Sequence, residues 1–231
     1  MWAFQATSQT PGPLAEILIM HTTIYFLLLF LLVCCRVPGK VEFEGKITYK
    51  IEITSPKGSP FVDDLQQEMG DVVEVFFKGG MYRMNFNGQP AYNIIHIDSL
   101  SRQYTLFENI DTLFIDDCAW EPRKVLGISN EAQVDTVLGM VCNKFTMELE
   151  NERKEFFYSP DLYISASRFE NHKFGHVDVY YMNCQSPFLK RIQHGPVFTI
   201  TYEAIAIEPM KLGDSLFVPR SELPTSSKFR K

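Results

Sequence analysis

The chain has 231 residues, which is enough for one domain of about 150 to 200 residues plus an amino-terminal segment. Its net charge is −6, and its longest basic cluster is the short carboxyl-terminal group Lys228, Arg230 and Lys231. Nucleic-acid binding needs a basic surface that displaces counterions from phosphates, so the charge excludes that class of partner.

An apolar run extends from Ile24 to Cys35 and is followed by Arg36. Its length is typical of the apolar region of a signal peptide, whereas a bilayer span needs about 20 apolar residues. We therefore predict that residues 1–39 are a cleaved leader, with a retained membrane anchor as the alternative. The protein is then expected to be exported, and to be periplasmic or associated with the outer membrane.

Two further readings of this segment stay open. No Lys or Arg precedes the apolar run, so Met20 is a second candidate for the start of the chain. Cys34 and Cys35 suggest lipidation, although a small residue normally precedes a lipidated cysteine and Val33 and Cys34 occupy those places.

The first half of the domain has the alternating pattern of half-buried strands. Residues 42–54 predict a long strand, and Phe61, Leu65 and Met69 then recur at the spacing of a short helix that ends at Gly70. Glycine and Asn-Gly turns separate the further predicted strands of a meander, which cover residues 71–78, 81–87, 92–98, 102–108 and 112–117.

The second half begins with a polar connection over residues 118–135. Strands are predicted next at 141–150 and 154–159, and two final strands at 188–192 and 197–207 form a hairpin. The segment 160–183 predicts a helix or loop followed by a strand. The total is about nine strands in one domain, with residues 221–231 as a disordered tail.

No catalytic or metal motif emerges from the titratable residues. His172 and His176 are four residues apart, but Gly175 argues against a shared helix face and no third ligand is indicated, so we predict no metal site. Asp116 and Asp117 fit the solvated end of a strand better than a pair of catalytic acids.

Cys142 lies within a predicted strand, which favours a disulfide or a buried thiol over a nucleophile. The sequence has no Gly-x-Ser-x-Gly elbow and no glycine-rich phosphate loop. We therefore predict a protein that is not an enzyme and needs no cofactor. The 19 Phe, 10 Tyr and 9 Met residues suit either an apolar cavity or an ordinary core.

Two short motifs carry a resemblance to a known group. Gly139-x-x-Cys142-x-Lys144 is followed by the segment Phe157-Tyr-Ser-Pro-Asp-Leu162. Over residues 41–220 the chain resembles exported bacterial domains of unknown function that are related to the lipoprotein-carrier, or LolA-like, half-barrel. The box that names the GLPGLI family is absent after Leu162. The resemblance implies an antiparallel half-barrel around helices, whose concave side holds acyl chains in the carriers.

These observations predict an α+β, mainly antiparallel fold: a curved sheet or half-barrel of about nine strands, with one or two helices on its concave side. The expected function is the binding of a hydrophobic or lipid-like ligand in that concavity by an envelope protein. One alternative is a structural or partner-binding envelope protein. The other is a hydrolase in which Asp116, His172 and His176 converge. The ligand-binding residues, the partner and the oligomeric state are not predicted.

Export would place Cys118, Cys142 and Cys184 in an oxidising compartment. Cys118 and Cys142 flank the connection between two strands that we expect to be neighbours. We therefore predict a disulfide between Cys118 and Cys142, which leaves Cys184 free.

Overall fold

The computed structural model describes residues 40–55 and 60–227. Three predictions concern residues outside these ranges, and the structure does not test them: the leader, the candidate start at Met20 and the lipidation of Cys34 or Cys35. Among the described residues, no helix is both long and apolar enough to cross a membrane.

The described residues form one mixed sheet of twelve strands and two α-helices. The strands are β1 (Gly45–Thr54), β2 (Val72–Lys78), β3 (Met81–Phe86), β4 (Tyr92–Ile97), β5 (Arg102–Phe107), β6 (Leu113–Asp117), β7 (Val125–Val137), β8 (Met140–Leu149), β9 (Arg153–Tyr158), β10 (Phe188–His194), β11 (Thr199–Pro209) and β12 (Thr225–Ser226). The helices are α1 (Pro60–Met69) and α2 (Val177–Cys184).

The strand order in the sheet is β12-β6-β5-β4-β3-β2-β1-β11-β10-β9-β8-β7. All neighbours are antiparallel except β12, which pairs in parallel with β6. The sheet is open, with β12 and β7 at its two edges. The predicted half-barrel of about nine strands with helices on its concave side is therefore wrong, because residues 40–55 and 60–227 form an open sheet of twelve strands.

Two strands account for most of that difference. β7 was predicted as part of a polar connection, because most of its residues are exposed at the sheet edge and show no apolar alternation. β12 lies in the predicted tail, where residues 225 and 226 pair with Leu113 and Phe114 of β6. The strand predicted late in residues 160–183 is also wrong, since turns and α2 occupy that segment.

Strand β1 shows why the sequence forms a sheet with one apolar face. Its side chains Ile47, Tyr49, Ile51 and Ile53 alternate with polar residues and are all buried. Both helices contribute to the same core cluster, α1 through Val62 and α2 through Tyr180, Tyr181 and Cys184. We call the face of the sheet that carries these β1 side chains the inner face.

The opposite, outer face is covered over β3–β6 by the segment that follows β11. Ile95, Tyr104 and Leu113 form a second buried cluster there with Phe217 of this segment. Arg83 also donates a hydrogen bond to the carbonyl of Leu216 at 3.2 Å. The carboxyl-terminal segment therefore belongs to the folded domain through Leu223, which packs against this cluster.

Candidate functional site

The strand register places three rows of side chains on the inner face of β3–β6. Tyr82, His96, Gln103 and Asp116 form one row; Met84, Ile94, Thr105 and Phe114 form the middle row; Phe86, Tyr92 and Phe107 form the last. One end of this face is polar and the other end is aromatic. Both ends are candidates for function.

Four aromatic rings from four successive strands adjoin one another at the aromatic end. The centroids of Phe86 and Tyr92 are 4.4 Å apart with the rings nearly parallel, and those of Tyr92 and Phe107 are 5.2 Å apart. Phe114 meets Phe107 edge to face at 5.9 Å. These distances are those of favourable aromatic pairs. We call Phe86, Tyr92, Phe107 and Phe114 the aromatic ladder.

The aromatic ladder is not fully covered by the rest of the chain. Phe86 is buried, whereas Tyr92, Phe107 and Phe114 keep part of their surface exposed. Met84 and Ile94 are also only partly buried. The inner face of β3–β6 therefore carries a partly exposed apolar strip, whose members Met84, Tyr92 and Ile94 also pack against the main core cluster.

The polar end contains a buried cluster of His96, Cys118 and His172, each of which offers one ligand atom within 4.8 Å of the other two. His96 lies in β4, Cys118 directly follows β6, and His172 lies in the turn segment that precedes α2. The His96 and His172 rings stack at 3.9 Å, and the Tyr82 hydroxyl lies 2.9 Å from Nε2 of His172. We call His96, Cys118 and His172 the His–Cys cluster.

Several nitrogens in this cluster lack a hydrogen bond of good geometry, although the backbone of Arg102 lies close enough to His96 to act on its pKa. His96 is 0% exposed, and neither of its ring nitrogens has a hydrogen bond of good geometry to the described residues. Nδ1 of His172 is likewise buried without such a bond. A buried polar atom without a partner costs about 1 to 3 kcal/mol, so this arrangement is unfavourable as it stands.

The environment holds both imidazoles neutral at physiological pH. Burial, together with the neighbouring His172, lowers the pKa of His96 to about 2. Burial lowers the pKa of His172 to about 4. Burial, reinforced by the nearby carboxylates of Asp116, Asp117 and Asp98, raises the pKa of Cys118 to about 12.

The predicted disulfide between Cys118 and Cys142 is not formed. All three described cysteines are free and buried, as was predicted for Cys184 alone. The prediction assumed that the strands flanking residues 118–135 are neighbours, whereas β6 and β8 are separated by eight strands in the sheet order. Cys142 instead lies near its own hairpin turn, where its thiol donates to the carbonyl of Met140 at 3.4 Å.

The other titratable residues fall in different places. Asp116 is 4% exposed, so the predicted solvated strand end is wrong for this residue and holds only for Asp117, which is exposed. His172 joins the His–Cys cluster, whereas the charged groups around His176 are Glu121, Lys154, Arg123 and Asp178. The two histidines thus have different surroundings.

A cleft of about 440 Å³ lies beside α1 and the turn between β3 and β4. It is lined by Asp63, Gln66, Gln67, Gly70, Asp71, Asn87, Gly88 and Gln89. These lining residues are polar or glycine, and none of them belongs to the aromatic ladder or the His–Cys cluster.

No family model matches the chain. No curated protein matches it either. Among solved structures, the chain is similar to PNGF-II with 12% identity and a TM-score of 0.45, over 79% of this chain and 31% of that one. It therefore spans about a third of the length of PNGF-II.

A LolA superfamily protein from Nitrosomonas europaea is also similar, with 8% identity and a TM-score of 0.38, over 77% of this chain and 91% of that one. At that TM-score the likeness does not assign the chain to a family.

The sequence contains a signal for the His–Cys cluster that motif spacing does not detect. His96 follows Tyr92 and Ile94 at intervals of two, so it lies on the apolar face of its strand, where a histidine is unusual. Its partners are 22 and 76 residues away in the chain. Only the paired strands and the segment folded over them bring the three residues together.

Proposed function

We propose that this protein is an exported, non-enzymatic binding protein of the cell envelope that holds a hydrophobic or lipid-like ligand against the aromatic ladder. The observation that carries the proposal is the partly exposed apolar strip formed by Tyr92, Phe107 and Phe114 with Met84 and Ile94. Export is proposed from the apolar run at the amino terminus.

The ladder suits a ligand with apolar surface because its rings offer flat faces on a rigid support. Four neighbouring strands hold the rings, so little side-chain entropy is lost when a ligand covers them. Burying about 200 Å² of apolar surface contributes about 5 kcal/mol, from which the cost of association is subtracted. This magnitude favours a reversible complex with an acyl chain or a similar group.

The test is a titration of the full chain with a fluorescent long-chain fatty acid. Replacing Phe107 with Ser removes one partly exposed ring from the centre of the ladder. We expect the dissociation constant to rise about tenfold, which corresponds to ~1.4 kcal/mol. Phe114→Ser should act in the same direction.

Phe61→Ser is the matched control, because Phe61 is a 53% exposed aromatic residue on α1 that contacts Phe198 and is not part of the ladder. Its affinity for the probe should equal that of the unchanged protein. Circular dichroism of each variant verifies the fold. Equal affinities for folded Phe107→Ser, Phe114→Ser and the unchanged protein would reject the ladder as the binding surface.

A further inference from the structure

The His–Cys cluster combines three side chains of types that bind transition metals, and all three are buried. Each ligand atom is within 4.8 Å of the other two. Zinc binds imidazole nitrogen at about 2.0–2.1 Å and thiolate sulfur at about 2.3 Å, so tetrahedral ligand atoms are about 3.3–3.8 Å apart. For an ion to bind, the three atoms must approach to these distances, and the stacked rings of His96 and His172 must turn so that an in-plane lone pair of each points at the ion.

The simplest alternative is that these residues only pack together as an aromatic cluster in the core. His96 does stack with Tyr82 and lies near Phe169, as a core ring would. A phenylalanine would make the same contacts without burying two nitrogens that lack a hydrogen bond of good geometry. The ring nitrogens of His96 and Nδ1 of His172 are therefore available to a further partner.

We propose that His96, Cys118 and His172 bind a single zinc-like divalent cation in the interior of the protein. One thiolate and two imidazoles suit a borderline ion such as Zn²⁺ and not Mg²⁺ or Ca²⁺, which prefer oxygen ligands. In the tautomer in which Nε2–H of His172 donates to the Tyr82 hydroxyl, 2.9 Å away, this bond would orient the ring and leave the lone pair of Nδ1 for the ion.

Charge balance supports the same site. A divalent ion with one thiolate carries a net positive charge, which is costly in the interior unless a negative group lies nearby. Asp98 is 9% exposed, and its Oδ1 atom is buried without a hydrogen bond and lies 3.9 Å from Nε2 of His96. Its carboxylate therefore lies where it can offset the charge or orient His96.

The ligands come from three separate parts of the fold, namely β4, the residue after β6, and the segment before α2. The backbone already joins two of these parts, because Lys173 and Phe174 donate hydrogen bonds to the carbonyl of Cys118 at 2.7 and 3.1 Å. A bound ion would hold the segment before α2 against the edge of the sheet. Since the site is buried, metal binding is expected to accompany folding.

The test is a titration of the chelator-treated full chain with Co²⁺, a spectroscopic substitute for Zn²⁺. We expect one Co²⁺ per chain and the absorption band of charge transfer from thiolate to Co²⁺. Cys118→Ala should abolish the band and weaken binding at least about a hundredfold. Cys142→Ala and Cys184→Ala are matched controls, since both remove an equally free, buried thiol and should leave the band unchanged.

His96→Phe is a second variant, which keeps the shape of the ring and should fold while losing the ion. A titration without the thiolate band, or a band that persists in Cys118→Ala, would overturn the proposal.

If both cluster variants fail to fold, X-ray absorption of the zinc-loaded unchanged protein identifies the ligand atoms. One sulfur with imidazole scattering supports the site, and scattering from nitrogen and oxygen alone contradicts it. Neither result depends on ligand binding at the aromatic ladder.

Discussion

Lys154 of β9 is 7% exposed and donates a hydrogen bond to the carbonyl of Gly175 at 3.3 Å. It lies in a polar group that includes Glu121, Arg123 and Glu152, in which Arg123 and Glu152 are 2.6 Å apart. Burial alone would raise the pKa of Glu121, but hydrogen bonds from Arg123 and Gly175 outweigh it and lower that pKa to about 2. This group attaches the connection after β6 to the segment before α2.

The lysine in this group makes stability depend on pH. Burial lowers the pKa of Lys154 from 10.5 to about 8 in the folded protein. Between these two values the unfolded chain binds more protons than the folded one, so this residue makes the free energy of unfolding rise with pH. Below pH 8 both states are protonated, and the cost of burying the charge is fully present.

We therefore predict that Lys154→Met abolishes a pH-dependent gain of up to about 1 kcal/mol between about pH 8 and 9. Urea unfolding at several pH values within this window measures it. Lys173→Met, which removes an exposed lysine, is the control and should retain the gain. Equal pH slopes for Lys154→Met and the unchanged protein would contradict the assigned pKa.

The burial and the contacts of single residues were harder to predict from the sequence than the strands and helices. The position of Cys142 within a strand agrees with its burial, but the sequence cannot show that Asp116 is buried, because that depends on the chain segments that pack over the strand. The His–Cys cluster could not be predicted for the same reason, because its members are far apart in the sequence and share no local pattern. Side-chain roles that depend on distant segments are set by tertiary structure.

At the level of elements, the strands with one buried face could be predicted and the exposed edge strand could not. β1–β6 and β8–β11 alternate apolar and polar residues, and their observed bounds lie close to the predicted ones. β7 lacks this signal because it is an edge strand, and Leu126, Ile128 and Val134 on it are exposed.

The turn of the β7–β8 hairpin contains a residue that is poorly suited to its conformation. Leu138 and Gly139 have φ values of 50° and 79° between the paired residues Val137 and Met140. Positive φ at both central positions is typical of a type I′ turn, which favours Asn-Gly. Leucine in this conformation costs about 1 kcal/mol or more.

We predict that Leu138→Asn raises the free energy of unfolding by about 0.5 to 1 kcal/mol, since Leu138 is 49% exposed and loses little burial. Leu126→Asn is the control, because Leu126 is an exposed leucine of the same hairpin whose φ is not positive. It should give no gain. Destabilisation by Leu138→Asn in thermal or urea unfolding would show that the turn is assigned incorrectly.

At the level of the whole molecule, the strand order explains why the predicted disulfide is absent, and the packing over the sheet explains why the aromatic ladder is partly exposed. The connection after β6 carries the chain from one end of the sheet to the other, which separates Cys118 from the strand of Cys142. The helices and the segment before α2 cover the inner face over the central strands, while β3–β6 keep their aromatic ladder partly exposed. Such long-range pairing has no signature in local sequence patterns.

Native mass spectrometry of the gently purified full chain tests the central claim most directly. We predict a non-covalent hydrophobic adduct that is released by mild activation and is reduced in the double variant Phe107→Ser and Phe114→Ser. A folded protein that purifies without any such adduct, and that does not acquire one when mixed with a long-chain fatty acid, would contradict the account.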